Sequence, residues 1–294
     1  MRAIAGIAKG ALIAAAALAL TLTLVACTQP NTKDTTNDSQ AAATSTPEQT
    51  APPSVTLQVF AANSLEKALP EVQALYTQKH PEVTFADTQF KASGDLVEQI
   101  NAGAQPDILI TASKGSMDTA VDNGAINEST RIDMFANDLV IVKAKGADIT
   151  INSLDDVTQF SKIAIGDAAT VPAGQYANQT LNSIGLYSSD TGKDGQYLGA
   201  IADKVVLADK VGTAASYVST GNCQIGFVYT SDLYRYEGIE IAFTVPADAH
   251  KPILYPGALL NTTAHSDVAN DFLNFCLTDP DALSIWSKFG FEVL

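Results

Sequence analysis

The sequence predicts an α/β fold in two lobes, with parallel-dominated sheets flanked by helices. Three observations predict it. Strand-like and helix-like segments alternate through residues 55–294. Asp107 to Thr111 (DILIT) is a continuous apolar run of the kind buried on both faces of a parallel sheet. The strand–helix units also come in two series, the second beginning at Asp138.

Val55 to Ala61 alternates and is rich in strand formers. Ser64 then opens a helix in which Leu65, Leu69, Val72, Leu75 and Tyr76 recur at three- and four-residue spacing. Val83 to Phe90 reads as the next strand, and Ser93-Gly94-Asp95 begins a helix carrying Leu96, Val97 and Ile100. After the Asp107 to Thr111 strand, Met117 to Asn123 is a short helix ended by Gly124. The second series comprises the strand Asp138 to Lys143, a helix from Ser153, the strand Ile163 to Ile165 and a helix opening after Val171-Pro172-Ala173-Gly174. It continues with the strand Val205 to Ala208, a helix from Val211 to Ser219 and a strand over Gln224 to Thr230 that ends at Tyr229. Ile239 to Val245 and Pro252 to Leu260 are extended, and helices over Ser266 to Leu277 and Pro280 to Lys288 close the chain. Ser188 to Gly195 is a surface loop. Its acids lack the remaining ligand spacing of a calcium loop.

Composition narrows the function. Lys and Arg number 17 against 32 Asp and Glu, for a formal net charge of −15. A nucleic-acid partner needs a basic stripe to displace counterions, so none is expected. At 46% hydrophobic and 17% charged, the chain suits a globular body. Three cysteines and three histidines, with no Cys-x-x-Cys or His-x-x-x-His pair, argue against a zinc or thiol redox centre.

Residues 1–26 read as an export signal: Arg2 and Lys9 flank the start of the apolar run Ala11 to Ala26. That run is short for a membrane span, and no basic stop-transfer cluster follows it. Leu24-Val25-Ala26-Cys27 resembles the bacterial lipobox, which implies a lipidated Cys27 as the first mature residue. An acylated cysteine would hold the protein at the extracytoplasmic face of the cell membrane. Residues 27–54 carry no large apolar side chain after Cys27 and cannot build a core, so they are expected to form a disordered tether.

Four strand-to-helix junctions fall at Ser64, Ser93, Ala173 and Val211. Ligands of open α/β sheets bind beyond the carboxyl ends of strands, where helix N-termini converge. Such ends present unpaired backbone N–H groups and about half a positive charge, which suits an anion without any Arg or Lys. The hydroxyls of Ser64, Ser93 and Tyr229 would add donors. By residue type alone, each serine serves equally as an ordinary helix cap.

Several strings occur in the order of one family. They are Phe60-Ala61-Ala62-Asn63-Ser64-Leu65, Ala92-Ser93-Gly94-Asp95-Leu96, Gln105 to Ala112, Asn137-Asp138-Leu139-Val140, Gly166-Asp167 with Val171 to Ala177, Gly226 to Asp232, and Tyr255-Pro256. Through them the chain resembles the molybdate-binding proteins that serve bacterial ABC importers, over essentially all of Val55 to Leu294. The resemblance implies a type II periplasmic-binding-protein-like fold, with a tetrahedral dianion held in the interlobe cleft by neutral groups. Carried over by position, Ser64 and Ser93 would give hydroxyls, Ala112, Ala173 and Val211 backbone N–H groups, and Tyr229 its phenol. Asn63 stands where the family more often has a small residue.

The resemblance further implies a solute-binding lipoprotein, not an enzyme and without a cofactor. It would capture molybdate, and tungstate with it, and deliver the anion as a monomer to a permease powered by a separate ATPase. No Gly-x-Ser-x-Gly elbow supports a serine hydrolase, and no Walker loop is present. Another small oxyanion such as sulfate is the alternative ligand. Lobe 1 is expected over residues 55–137 and 255–294, and lobe 2 over 138–254. Cys223 and Cys276 fall in different lobes on this division and are expected to stay unbridged.

Overall fold

Short apolar runs set between helical periodicities fold as thirteen strands and seven α-helices among residues 54–294, the part that this computed structural model describes. The expected signal peptide (1–26), the lipidation expected at Cys27 and all but the last residue of the expected tether (27–54) lie outside the described residues. The first series runs β1 (Val55–Leu57), β2 (Val59–Ala62), α1 (Ala68–Lys79), β3 (Val83–Phe85), β4 (Gln89–Lys91), α2 (Ser93–Asn101), β5 (Ile108–Ile110), α3 (Lys114–Asp122) and β6 (Ile132–Asn137). The second holds β7 (Leu139–Ala144), β8 (Ile163–Gly166), α4 (Pro172–Ser183), β9 (Val205–Ala208), α5 (Val211–Ser219), β10 (Ile225–Tyr229) and β11 (Ile239–Thr244). The chain ends with β12 (Ile253–Leu259), α6 (Ser266–Thr278), α7 (Pro280–Lys288) and β13 (Glu292–Val293).

The α/β class is as expected. One sheet has the order β13-β6-β12-β5-β2-β4 and the other β11-β7-β10-β8-β9, with β1 and β3 paired apart from both. Pairing is mixed, which corrects the expectation of parallel-dominated sheets. Parallel pairs join β4, β2 and β5 in one sheet and β9, β8 and β10 in the other. The β1–β3 pair is also parallel, and the remaining strands of the two sheets pair antiparallel. A parallel neighbour requires a crossover connection, usually a helix. The chain passes from β6 to β7 and from β11 to β12 between the two sheets without an α-helix, and those four strands enter their sheets antiparallel.

Local departures from the predicted elements have physical causes. The strand expected over Val55 to Ala61 breaks at Gln58, whose N–H donates to Asp107 Oδ2 at 2.8 Å and whose carbonyl accepts from Asp107 N–H at 2.8 Å. The Val83 to Phe90 strand divides likewise, because β3 pairs with β1 while β4 pairs with β2. The helix expected from Ser153 is a 3-10 turn, Leu154–Gln159, closed at its start by a Ser153–Asp156 capping box. Strand β6 is absent from the elements the sequence predicts, since its residues do not alternate cleanly between buried and exposed. The Ser188 to Gly195 loop lies against α4, whose Asn178 and Gln179 amides donate to the carbonyls of Gly192 and Thr191, each at 3.1 Å.

The core of the six-stranded part centres on Trp286, which meets Phe135 at 4.3 Å between ring centroids and donates from Nε1 to the Cys276 carbonyl at 3.0 Å. Cys276 and Cys223 are buried and free, on α6 and just before β10. At the start of α4, a Cβ on Gly174 would fall on the Gly166 carbonyl. Only glycine lets this helix begin so close to the end of β8.

Candidate functional site

The six residues singled out from the sequence come together. Ser64, Ser93, Ala112, Ala173, Val211 and Tyr229 all line one cavity of about 220 Å³. The strands deliver them at their carboxyl ends: Ala62 ends β2, Lys91 ends β4, Gly166 ends β8, Ala208 ends β9 and Tyr229 ends β10. Helices α2, α4 and α5 begin at the cavity with Ser93, Pro172 and Val211. Pro172 takes the first helical position, where its missing N–H costs nothing. Ser64 departs from expectation, since it lies in a 3-10 turn, Asn63–Leu65, and α1 proper begins at Ala68.

Each serine hydroxyl is oriented from behind. The Ala112 N–H donates to Ser93 Oγ at 3.0 Å, so that oxygen acts as acceptor and its own proton is available to the cavity. Ala112 therefore directs its N–H at Ser93. On the opposite side, Asn137 Nδ2 donates to Tyr255 Oη at 3.3 Å, and Tyr255 Oη lies 3.0 Å from Ser64 Oγ. Tyr255 Oη therefore accepts from Asn137, and either hydroxyl can donate in its bond to Ser64, which fixes the position of the Ser64 oxygen at the cavity.

Tyr229 is 1% exposed, and its Oη has no hydrogen-bond partner among the described residues. Burial, reinforced by Tyr255, Tyr176 and Asp232 nearby, raises its pKa well above the ordinary phenol value, so it remains a neutral donor. An unpaired buried hydroxyl costs about 1–3 kcal/mol, and a ligand acceptor in the cavity would remove that cost.

The lining contains no carboxylate, and its one charged member is Lys91, exposed at the rim. Hydroxyls, helix N-termini and a rim ammonium suit an anion. The cavity is small and closely lined, which favours a compact guest. A larger groove, between the start of α3 and α4, contains none of the buried unpaired polar side-chain atoms among the described residues.

Sequence reasoning missed Lys91 as a wall residue and Asn137 and Tyr255 as supports of Ser64. Tyr255-Pro256 was visible as a motif. Nothing local indicated which hydroxyl Tyr255 meets, because Ser64 lies 191 residues away.

Two sheets joined by direct crossings, with a small donor-lined cavity at their strand ends, define a solute-binding protein. The chain belongs to the bacterial extracellular solute-binding protein family, whose model matches residues 57–292. It is 32% identical over 237 residues to the provisionally named ABC transporter substrate-binding lipoprotein YvgL of Bacillus subtilis (strain 168), across 81% of this chain and 86% of that one. It is 31% identical over 242 residues to the molybdate-binding protein ModA of Escherichia coli (strain K12), across 80% of this chain and 88% of ModA. Among solved structures, the substrate-binding domain of a provisionally assigned molybdenum ABC transporter from Clostridium difficile matches with a TM-score of 0.62 at 30% identity, covering 82% of this chain and all of that domain. This chain is accordingly a solute-binding protein and not an enzyme.

Proposed function

We propose that the protein captures molybdate, and tungstate with it, in the cavity between Ser64, Ser93 and Tyr229, and delivers the anion to the permease of an ABC importer. The observation that carries this reading is the buried Tyr229 hydroxyl, without a partner among the described residues, in a carboxylate-free cavity where Ala112 and Tyr255 position two serine hydroxyls. Hydrogen bonds to a charged group contribute roughly 1.5–3 kcal/mol each. Helix starts at Ala173 and Val211 add unpaired N–H groups, so a dianion is held despite a net charge of −15. The relatives named for molybdate or molybdenum support the choice of anion.

In this reading the protein is a monomer of two lobes, residues 55–137 with 255–294 and residues 138–254, that close on the anion by bending at the two crossings. The permease recognises the closed form, and a separate ATPase supplies the energy. A lipid on Cys27 keeps the body at the outer face of the cell membrane, a role supported by the lipobox and by the lipoprotein name of YvgL. No cofactor takes part.

Isothermal titration of the body with molybdate, tungstate, sulfate and phosphate tests the assignment. One-to-one binding of molybdate and tungstate with sulfate weak is the expected result. Heat with sulfate or phosphate and silence with the other two would replace the ligand while leaving the binding-protein class in place.

A further inference from the structure

Beside the cavity, a second polar cluster bridges the two sheets' halves. Arg235 follows the 3-10 turn Thr230–Tyr234 after β10, and its side chain is 1% exposed. Its Nη1 pairs with Asp232 Oδ1 at 2.5 Å within its own half. Its Nη2 pairs at 2.8 Å with Glu66 Oε1, which follows the 3-10 turn after β2 in the other half. Asn63 knits the two together: Nδ2 donates to Glu66 Oε2 at 2.7 Å, and Oδ1 accepts from Arg235 Nη2 and from the Gly212 N–H, each at 3.2 Å.

The cluster is tied to the anion cavity at three points. Asn63 precedes Ser64, and Gly212 follows Val211 on α5. Asp232 Oδ2 accepts the Tyr229 N–H at 2.9 Å. Gly212 also has no room for a Cβ, which would meet Tyr236 Oη and Asn63 Oδ1.

We infer that Asn63, Glu66 and Arg235 form a closure latch, a set of positioning residues that draws the start of α5 and the Tyr229 strand end against Ser64 and slows reopening of the cavity. Breaking the latch strands no bare buried charge. Asp232 stays paired with Arg235 when the halves part, and Glu66, already 33% exposed, returns to water. An ion pair serving only stability would need no such asymmetry, with one partner in the same half and the other across the gap.

The latch rests on the proposed function for its ligand but not for its existence. Glu66→Gln and Arg235→Met alter residues that do not line the cavity. Glu66→Gln is the primary variant because it leaves the buried Asp232–Arg235 pair whole should Arg235→Met fail to fold. In stopped-flow displacement of molybdate, Glu66→Gln is expected to raise the dissociation rate about tenfold with little change in association rate, since losing a charge partner of this kind acts mainly on dissociation. Small-angle scattering of the anion-free protein is expected to show a larger radius of gyration than wild type. Glu71→Gln, which breaks the exposed Lys288 pair within one half, serves as the control that leaves both readings at wild-type values. Wild-type dissociation and wild-type scattering in Glu66→Gln would overturn the latch. If the wild-type protein binds no molybdate, the ligand assignment fails, and scattering of the anion-free variants still decides the latch.

Discussion

The backbone N–H of Ala112 donates to Ser93 Oγ at 3.0 Å, so the end of β5 orients the hydroxyl at the start of α2. A serine held this way accepts from the backbone and keeps its own proton free to donate. The predictions that follow depend on how each donor is supported.

Ser64→Ala and Ser93→Ala are each expected to weaken molybdate binding by roughly 1–3 kcal/mol in calorimetric titration. Both should lower the melting temperature of the anion-free protein, because Ser93→Ala leaves the Ala112 N–H buried without its acceptor, and Ser64→Ala removes the Ser64 partner of the buried Tyr255 hydroxyl, whose remaining contact, Asn137 Nδ2, can only donate. Equal affinities in wild type and both variants would remove the two hydroxyls from the contact set.

Tyr229→Phe is expected to separate binding from stability. The hydroxyl has no partner among the described residues, so its removal should leave the anion-free melting temperature unchanged or raised while weakening molybdate by about 1.5–3 kcal/mol. Differential scanning calorimetry with and without the anion measures both effects. A destabilised apo protein would mean that the hydroxyl is paired in solution.

Gly174→Ala is expected to destabilise the protein by about 1–3 kcal/mol, because the added methyl meets the Gly166 carbonyl and α4 must shift. Helix propensity alone would favour alanine by about 1 kcal/mol, so a stabilised variant in a denaturant titration would contradict this packing.

Alkaline pH is expected to unfold the chain through its tyrosines. Burial raises the phenol pKa values of Tyr176, Tyr229 and Tyr255 above their ordinary 10.0. The folded state therefore holds these protons while the unfolded state releases them near 10. The stability they contribute is complete below that pH and is lost as pH rises above it. Absorbance of phenolate and loss of circular dichroism should then change together above pH 10, and molybdate affinity should stay flat from pH 7 to 9 as far as Tyr229 is concerned.

Both described cysteines are buried and free, and burial raises their thiol pKa values. A thiol reagent without reductant is expected to label Cys223 and Cys276 only after denaturation, each stoichiometrically. Failure to label the unreduced, denatured protein would show that they are bridged.

Much of the site was legible in the sequence because its parts are local. Strand periodicity followed by a helix start locates Ser93, Ala173 and Val211 within a few residues, and all three line the cavity. Ser64 lines the same cavity, although it lies in a 3-10 segment and α1 begins only at Ala68. Strand β6 escaped notice because its burial depends on β12 and β13 on either side of it, and its own residues do not alternate.

By itself the sequence determined the α/β class, the succession of strand ends and helix starts, and the kind of chemistry those ends offer, since each is set by side-chain pattern over ten or so residues. Tertiary structure alone decided the mixed strand pairing, the lack of a partner for Tyr229 Oη, and the meeting of Asn63 with Gly212 and Arg235, 149 and 172 residues away. The physical reason is that hydrogen bonding and desolvation depend on which distant groups share a space. No local pattern carries that information until the crossings have brought the two sheets together.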